Sequence, residues 1–180
     1  MSDAPSPGFA LWLTGLPSAG KSTLARAVAA QLADCDIHVQ ILDSDELRTR
    51  LIRQPTYSAD ERDWFYDLVV FLADLLTRNG VNVLIAATGH RRVYRDAARR
   101  DIRRFAEVYV ACPVEVCRVR DPKGLWAAAD RGEIHGLPGA DEAYEPPLTP
   151  DVVVDSAVLA PDDAAAMVIQ GLTHLIHPDA

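Results

Sequence analysis

Lysine is nearly absent from this chain. Of its 18 cationic residues sixteen are Arg, and only Lys21 and Lys123 are Lys. Against 26 acidic residues these leave a formal net charge of −8, so the broad basic face of a nucleic-acid-binding protein is missing. A small anion needs only a local positive pocket, and a nucleotide substrate stays open. Cysteine is also scarce, three in 180 residues, too few for a disulfide-stapled scaffold. No apolar run approaches the ~20 residues of a membrane span. The opening Met1-Ser2-Asp3-Ala4-Pro5 lacks the pattern of a secretory signal. The expectation is a cytoplasmic protein with reduced thiols. What the chain does have is 49% hydrophobic and 24% charged residues, the balance of a globular domain, and a length that suits one.

Residues 1–8, rich in Pro and Ser, read as a flexible tail, and 9–180 as a single domain. Short apolar runs then alternate with helical stretches. Phe9–Thr14, Val39–Leu42, Val81–Ala87, Glu107–Ala111 and Val152–Val154 read as strands. Between them, Gly20–Leu32, Glu46–Ile52, a stretch opened by the capping-box spacing of Ser58 and Glu61 and running to Arg78, and the Arg-rich Tyr94–Arg104 read as helices. Asp162–Ile176 closes the chain as one helix. This alternation predicts an α/β fold of three layers, a parallel five-stranded sheet covered by helices on both faces. From 122 to 150 Gly and Pro interrupt the pattern, and a connection that long is expected to be a functional lid or disordered.

Gly15-Leu16-Pro17-Ser18-Ala19-Gly20-Lys21-Ser22, followed by Thr23, fits G-x-x-x-x-G-K-[ST] between a predicted strand and a predicted helix. The glycines let successive N–H groups turn inward on phosphate oxygens, and the helix N-terminus adds positive potential. Lys21 then reaches the β/γ-phosphates of ATP, and the Ser22 hydroxyl is placed to ligate Mg²⁺. The Asn-Lys-x-Asp guanine reader of GTPases is missing, and the third strand ends in Ala86-Ala87-Thr88-Gly89 with no carboxylate of the kind a motor ATPase carries. These features point to a nucleoside-monophosphate-kinase-like P-loop enzyme acting on a small acceptor.

Asp43 and Asp45 follow the second strand, at the end of the sheet where open α/β folds bind ligands. If the chain is still extended there, both carboxylates point the same way. One then serves the metal, with Ser22, and the other takes the acceptor hydroxyl's proton. The competing reading is that Ser44 or Asp45 caps the next helix. Arg48, one turn on, either binds an acceptor anion or is solvated. His90 with Arg91 and Arg92 either helps to hold the acceptor's anionic group or belongs to the basic helix behind it. Cys112 and Cys117 read as small apolar fillers. The stripe Trp64, Phe65, Leu68, Phe71, Leu72 and Leu75 reads as core or dimer seam.

Further along, Arg120-Asp121-Pro122-Lys123-Gly124-Leu125-Trp126, then Gly132-Glu133-Ile134, Gly136-Leu137-Pro138-Gly139 and Tyr144-Glu145-Pro146-Pro147, resemble the lid of the adenylylsulfate (APS) kinases. The phosphate loop, Asp43-x-Asp45 with Arg48, and Tyr57-Ser58-x-x-x-Arg62 match that family in order and spacing, so the resemblance covers roughly residues 9 to 156. It implies phosphorylation of the 3′-hydroxyl of APS to 3′-phosphoadenylyl sulfate, with ATP and Mg²⁺. Residues 15–23 would bind ATP; Asp43 and Asp45 would serve metal and acceptor hydroxyl; Arg48 and Arg62 would contact the phosphosulfate. Tyr57 takes the place of a Phe that stacks on the adenine, and Lys123 and Leu137 lie in the lid. A homodimer and association with a sulfurylase are further implications.

Departures from the family are equally legible. Phe65 stands where many members have an Asn that contacts APS, and is expected to offer the acceptor an aromatic face. Thr88-Gly89-His90-Arg91-Arg92 replaces an Ile-Ser-Pro run, so a phosphoserine intermediate has no support. Two competitors follow. The same reaction could run on another nucleotide-linked acceptor, such as a cytidine diphosphate derivative, or the chain could be a non-catalytic nucleotide-binding regulatory partner.

Overall fold

The computed structural model describes residues 6–177. In chain order the elements are β1 (Ala10–Thr14), α1 (Lys21–Ala33), β2 (Val39–Asp43), α2 (Ser44–Leu51), α3 (Ala59–Arg78), β3 (Asn82–Ala86) and α4 (Arg92–Asp101). They continue with β4 (Phe105–Ala111), α5 (Val114–Arg120), α6 (Leu125–Asp130), β5 (Val152–Asp155), α7 (Pro161–Gly171) and α8 (Thr173–Ile176). The five strands form one sheet in the order β2-β3-β1-β4-β5, and every pairing is parallel.

β1 shows why both faces are covered. Its side chains alternate, as strand geometry requires. Leu11 and Leu13 join a core built with Leu24, Val28 and Val168 of α1 and α7. Ala10 and Trp12 join a second core with Phe65, Tyr66 and Val69 of α3 and Tyr94 and Ala98 of α4. A strand buried on both sides reads as an unbroken apolar run, which Phe9–Leu13 is. Each fully buried aliphatic side chain contributes roughly 1.5–3 kcal/mol. The indole N–H of Trp12 donates to Ala87 O at 3.0 Å, so its burial leaves no polar atom unmet.

Several expectations need correction. The tail expected over 1–8 is tied down at its end: Gly8 N donates to Thr77 O (2.8 Å) and Arg104 to Pro7 O (2.7 Å). The part of that expectation over 1–5 lies outside the described residues. The Arg-rich helix spans 92–101 instead of 94–104 and is not merely solvated, because Tyr94, Arg95 and Ala98 are buried along one side. The closing helix is broken at Leu172, which ends α7 with φ −116° and precedes the short α8. The stretch 122–150, expected to be a lid or disordered, contains a helical segment, α6, inside a region the sequence shows as irregular. Its Trp126 is buried against the phosphate loop, with its indole N–H on Pro17 O (3.3 Å). No helix among the described residues is long and apolar enough to cross a membrane.

Candidate active site

The C-terminal ends of β1, β2 and β3 open into one cavity of about 1180 Å³. At one end lies the phosphate loop, whose residues Pro17 to Thr23 line the wall. Gly20 has φ +95° with nothing near a Cβ position, so its requirement for glycine is conformational. As N-cap of α1 it has no side chain, and no side-chain bond caps the helix. The first-turn N–H groups are therefore free to meet an anion. Gly15 and Leu16 contribute through their carbonyls, which accept from Lys21 Nζ at 3.0 and 2.8 Å. Leu16 also supports the lid: a Cβ on Gly139 would meet its Cδ2 at 2.6 Å.

Burial pushes the Lys21 ammonium down to about 8, with Asp45 and Asp43 opposing the shift and Lys123 adding to it. Lys21 is thus cationic below pH 8 and loses its charge as the pH rises through that value. The pH profile of kcat/KM reports groups of the free enzyme. For the nucleotide triphosphate, kcat/KM is therefore expected to be level below about pH 8 and to fall above it. A profile flat to pH 10 would contradict this placement of Lys21.

Asp43 ends β2 in an extended conformation and is itself the N-cap of α2, accepting from Asp45 N at 2.9 Å. Neither Ser44 nor Asp45 is the cap. The extended-chain expectation also fails, because the helix starts at Ser44 and Asp45 lies in its first turn. Both carboxylates nevertheless line the cavity. Asp43 Oδ2 accepts from the Ser22 hydroxyl at 2.5 Å. A hydroxyl and a carboxylate in contact beside the phosphate loop are the hard oxygen donors that Mg²⁺ prefers, so the residues present fit the ion. Asp45 makes an ion pair with Lys123, which joins α2 to the lid.

The cavity is also lined by Arg48, Tyr57, Arg62, Leu137 and His90. Arg48 is not a solvated residue: it is buried, its guanidinium lies between the rings of Phe65 (4.0 Å) and Tyr57 (4.8 Å), and it pairs with Glu61 at 2.6 Å. Glu61 is a residue the sequence showed only as half of a capping box. It does donate its N–H to Ser58 Oγ (3.3 Å), but its carboxylate accepts from Thr56 N and Oγ1 (2.5 and 2.8 Å) and from Arg48. Burial raises its pKa, and these donors outweigh that and hold it below the usual carboxylate value. The same clamp fixes Tyr57, which takes a left-handed φ of +56°. Arg62 is buried and donates to Gly136 O of the lid at 2.5 Å.

Phe65 does not reach the cavity. It is fully buried, because Arg62, Phe65, Tyr66 and Val69 form the inward stripe of α3. Its aromatic face is offered to Arg48 instead of to an acceptor. In its place the sequence missed Tyr66 and Thr88, which do line the cavity. Arg91 is the N-cap of α4 and Arg92 its first residue: Arg91 pairs with Asp63 and Arg92 donates to Pro146 O. Cys117 is buried and Cys112 half-buried, in keeping with a filler role.

Comparison with known proteins identifies the family. A family model described as adenylylsulphate kinase matches residues 7–155. A probable adenylyl-sulfate kinase of Pyrococcus abyssi is 45% identical over 163 residues, 91% of this chain and 94% of that protein. A probable bifunctional SAT/APS kinase 2 of Sorangium cellulosum is 38% identical over 168 residues, 93% of this chain but 29% of that protein. The solved structure of the Mycobacterium tuberculosis APS kinase CysC in complex with AMPPNP and APS has a TM-score of 0.88 at 34% identity, covering 94% of this chain and 99% of that one. The chain belongs to the adenylylsulphate kinase family, whose members are phosphotransferases acting on a hydroxyl group.

Proposed function

We propose that this chain transfers the γ-phosphoryl group of ATP to the 3′-hydroxyl of adenylyl sulfate, giving ADP and 3′-phosphoadenylyl sulfate. The supporting observation is the single cavity that joins an intact phosphate loop to Asp45, Arg48, Arg62 and Lys123. Phosphoryl transfer asks mainly for positioning and charge neutralisation. Lys21 and the first turn of α1 hold the phosphates of ATP. Mg²⁺, held by Ser22 and Asp43, would neutralise charge on those phosphates. Asp45 is placed to accept the hydroxyl proton, and Lys123 beside it brings the lid's positive charge to the same point. Arg48 and Arg62 supply the cationic wall for the phosphosulfate, and Tyr57 and Leu137 supply apolar surface for the adenine.

The same reading makes the protein a cytoplasmic enzyme of sulfate assimilation. It also makes it a homodimer, for which the support is the apolar outer stripe of α3, where Trp64, Phe71 and Leu75 are 51%, 54% and 41% exposed. The sulfurylase partner implied by the resemblance has its support in the bifunctional S. cellulosum relative, and no described surface is assigned to it.

The test is ADP release from ATP and Mg²⁺ with adenylyl sulfate beside a panel of other nucleotides, cytidine diphosphate derivatives included, with products identified by mass. Turnover on adenylyl sulfate alone is expected. Activity confined to another acceptor would replace the substrate and keep the chemistry; ATP binding without ADP release on any acceptor would favour the regulatory reading. In the same assay Lys123→Ala removes a group that contacts Asp45 and not the phosphate loop. The KM for the acceptor is expected to rise roughly tenfold or more, on the scale of a lost charged hydrogen bond, with little change in the KM for ATP. Equal loss on both substrates would contradict this role for the lid.

A further inference from the structure

We propose that His90 is an acceptor-binding residue, a neutral hydrogen-bond donor that stands beside Arg62 and recognises the sulfuryl end of the acceptor. The inference rests on adenylyl sulfate being the acceptor. It assigns a role to the turn after β3 where this chain departs from the run its family resemblance would lead one to expect.

The place of the imidazole is built. Gly89 N donates to the Tyr66 hydroxyl (3.0 Å), Arg95 donates to Gly89 O, and Glu145 N donates to His90 O (2.8 Å). The backbone on both sides of the ring is therefore held by α3, α4 and the end of the lid. The ring packs at 5.5 Å from Tyr94 and 6.4 Å from Tyr66, centroid to centroid. His90 is only 3% exposed and still lines the cavity.

Its ring nitrogens, by contrast, are free. Among the described residues they take no hydrogen bond, and the nearest carboxylate oxygen, on Glu142, is 3.9 Å from Nε2. A buried polar side chain normally finds a partner, and here the open direction is the cavity. The charged groups that act on the ring are Arg62 and Arg91, which disfavour its cation, and Glu142 and Glu145, which favour it. Burial, then Arg62, drive the imidazole down to about 4, against the pull of Glu142. At neutral pH it therefore carries one N–H donor and no charge.

Arg62 indicates which part of the acceptor lies here. One arm of its guanidinium donates to Gly136 O, and among the described residues its other N–H groups take no protein acceptor. In adenylyl sulfate the 3′-hydroxyl and the 5′-phosphosulfate leave the ribose from different carbons. With the hydroxyl directed to Asp45 and Lys21, the anionic end falls to the cations across the cavity. A neutral donor beside Arg62 adds a hydrogen bond to a sulfuryl oxygen without adding repulsion to the guanidinium. It restores on the β3 side a polar contact that buried Phe65 does not provide from α3.

Steady-state kinetics of H90F, H90N and H90Q test this. H90F keeps an aromatic ring against Tyr66 and Tyr94 but removes the donor. Its KM for adenylyl sulfate is expected to rise about 10- to 100-fold, the range for loss of a hydrogen bond to a charged group. Its KM for ATP should stay within about twofold, far inside that range, which also shows that the variant is folded. Adenosine monophosphate, which lacks the sulfuryl group, should inhibit H90F and the parent enzyme alike. An amide N–H at this position should recover part of the loss in H90N or H90Q. An unchanged KM for adenylyl sulfate in H90F, an equal weakening of adenosine monophosphate, or no recovery in either amide variant would each overturn the assignment. Failure of the parent enzyme to use adenylyl sulfate would instead overturn the proposed function, and this inference with it.

Discussion

Replacing Lys21 by Ala is expected to lower kcat/KM by about 10²- to 10³-fold, the scale of removing one preorganised electrostatic group from a transition state, and to leave the fold intact. Lys21 Nζ is held by Gly15 O and Leu16 O, so its charge is in position before substrate arrives and costs no reorganisation during transfer. The expectation for stability runs in the opposite direction. Burial is the largest influence on this ammonium and disfavours its charged form. A buried charge without a carboxylate in direct contact is a burden on the native state, so Lys21→Ala should melt at the same temperature as the parent or higher. Lys21→Arg should recover little activity. A planar guanidinium cannot present a compact ammonium to both the loop carbonyls and a phosphate. Unimpaired turnover in Lys21→Ala would remove the phosphate-loop assignment, and lost activity with a lower melting temperature would show that Lys21 supports the fold.

The parts of this molecule that local sequence specifies were legible, and those that depend on distant pairing were not. The phosphate loop is contiguous, its geometry is set by backbone and glycine, and its place between β1 and α1 followed from the apolar run Phe9–Leu13 and the Ala-rich stretch behind Gly20. The parallel sheet followed from alternation alone. Asp43 was read as a metal residue; in the fold its two carboxylate oxygens divide, one on the Ser22 hydroxyl and the other capping α2 through Asp45 N. Of the two readings of Phe65, the helical stripe that put it in a core or seam agrees with its burial beside Val69, and the acceptor-facing one fails because a place in a family pattern does not say which way a helical side chain points. Glu61, Tyr66 and Trp126 escaped for another reason. Their partners lie in other elements: Arg48 in α2, Gly89 after β3 and Pro17 in the phosphate loop. The halves are 13, 23 and 109 residues apart and on different elements, so no helical or strand periodicity links them.

Arg95 is the strongest instance of such pairing, and its replacement is expected to have the largest effect on stability. In the sequence it is one of several Arg in a stretch that looks solvated. In the fold it is 1% exposed, with Nε on Glu107 Oε1 (2.5 Å) and its two terminal nitrogens on Gly89 O and Glu145 O. The sign in the sequence was Glu107, a lone carboxylate inside the apolar strand Phe105–Ala111. It is itself buried, with Arg99 at 3.8 Å as its other cation. Arg95→Met keeps most of the volume but leaves Glu107 without its close partner. Breaking a buried pair this way costs about 3–5 kcal/mol, which for a chain of this size lowers Tm by roughly 6–20 °C. The double variant R95M/E107L removes both charges and should regain most of that loss, since apolar replacement of a buried pair is often neutral. It should not regain acceptor binding. Gly89 O and Glu145 O lose their donor in both variants, so the turn that carries His90 and the end of the lid come loose together. The expected pattern is a restored Tm with a KM for adenylyl sulfate still raised severalfold and a KM for ATP unchanged. Recovery of both Tm and KM in the double variant would show that Arg95 acts on the fold alone; a drop in Tm below about 2 °C in Arg95→Met, well under the expected range, would show that the Glu107 pair contributes little to it.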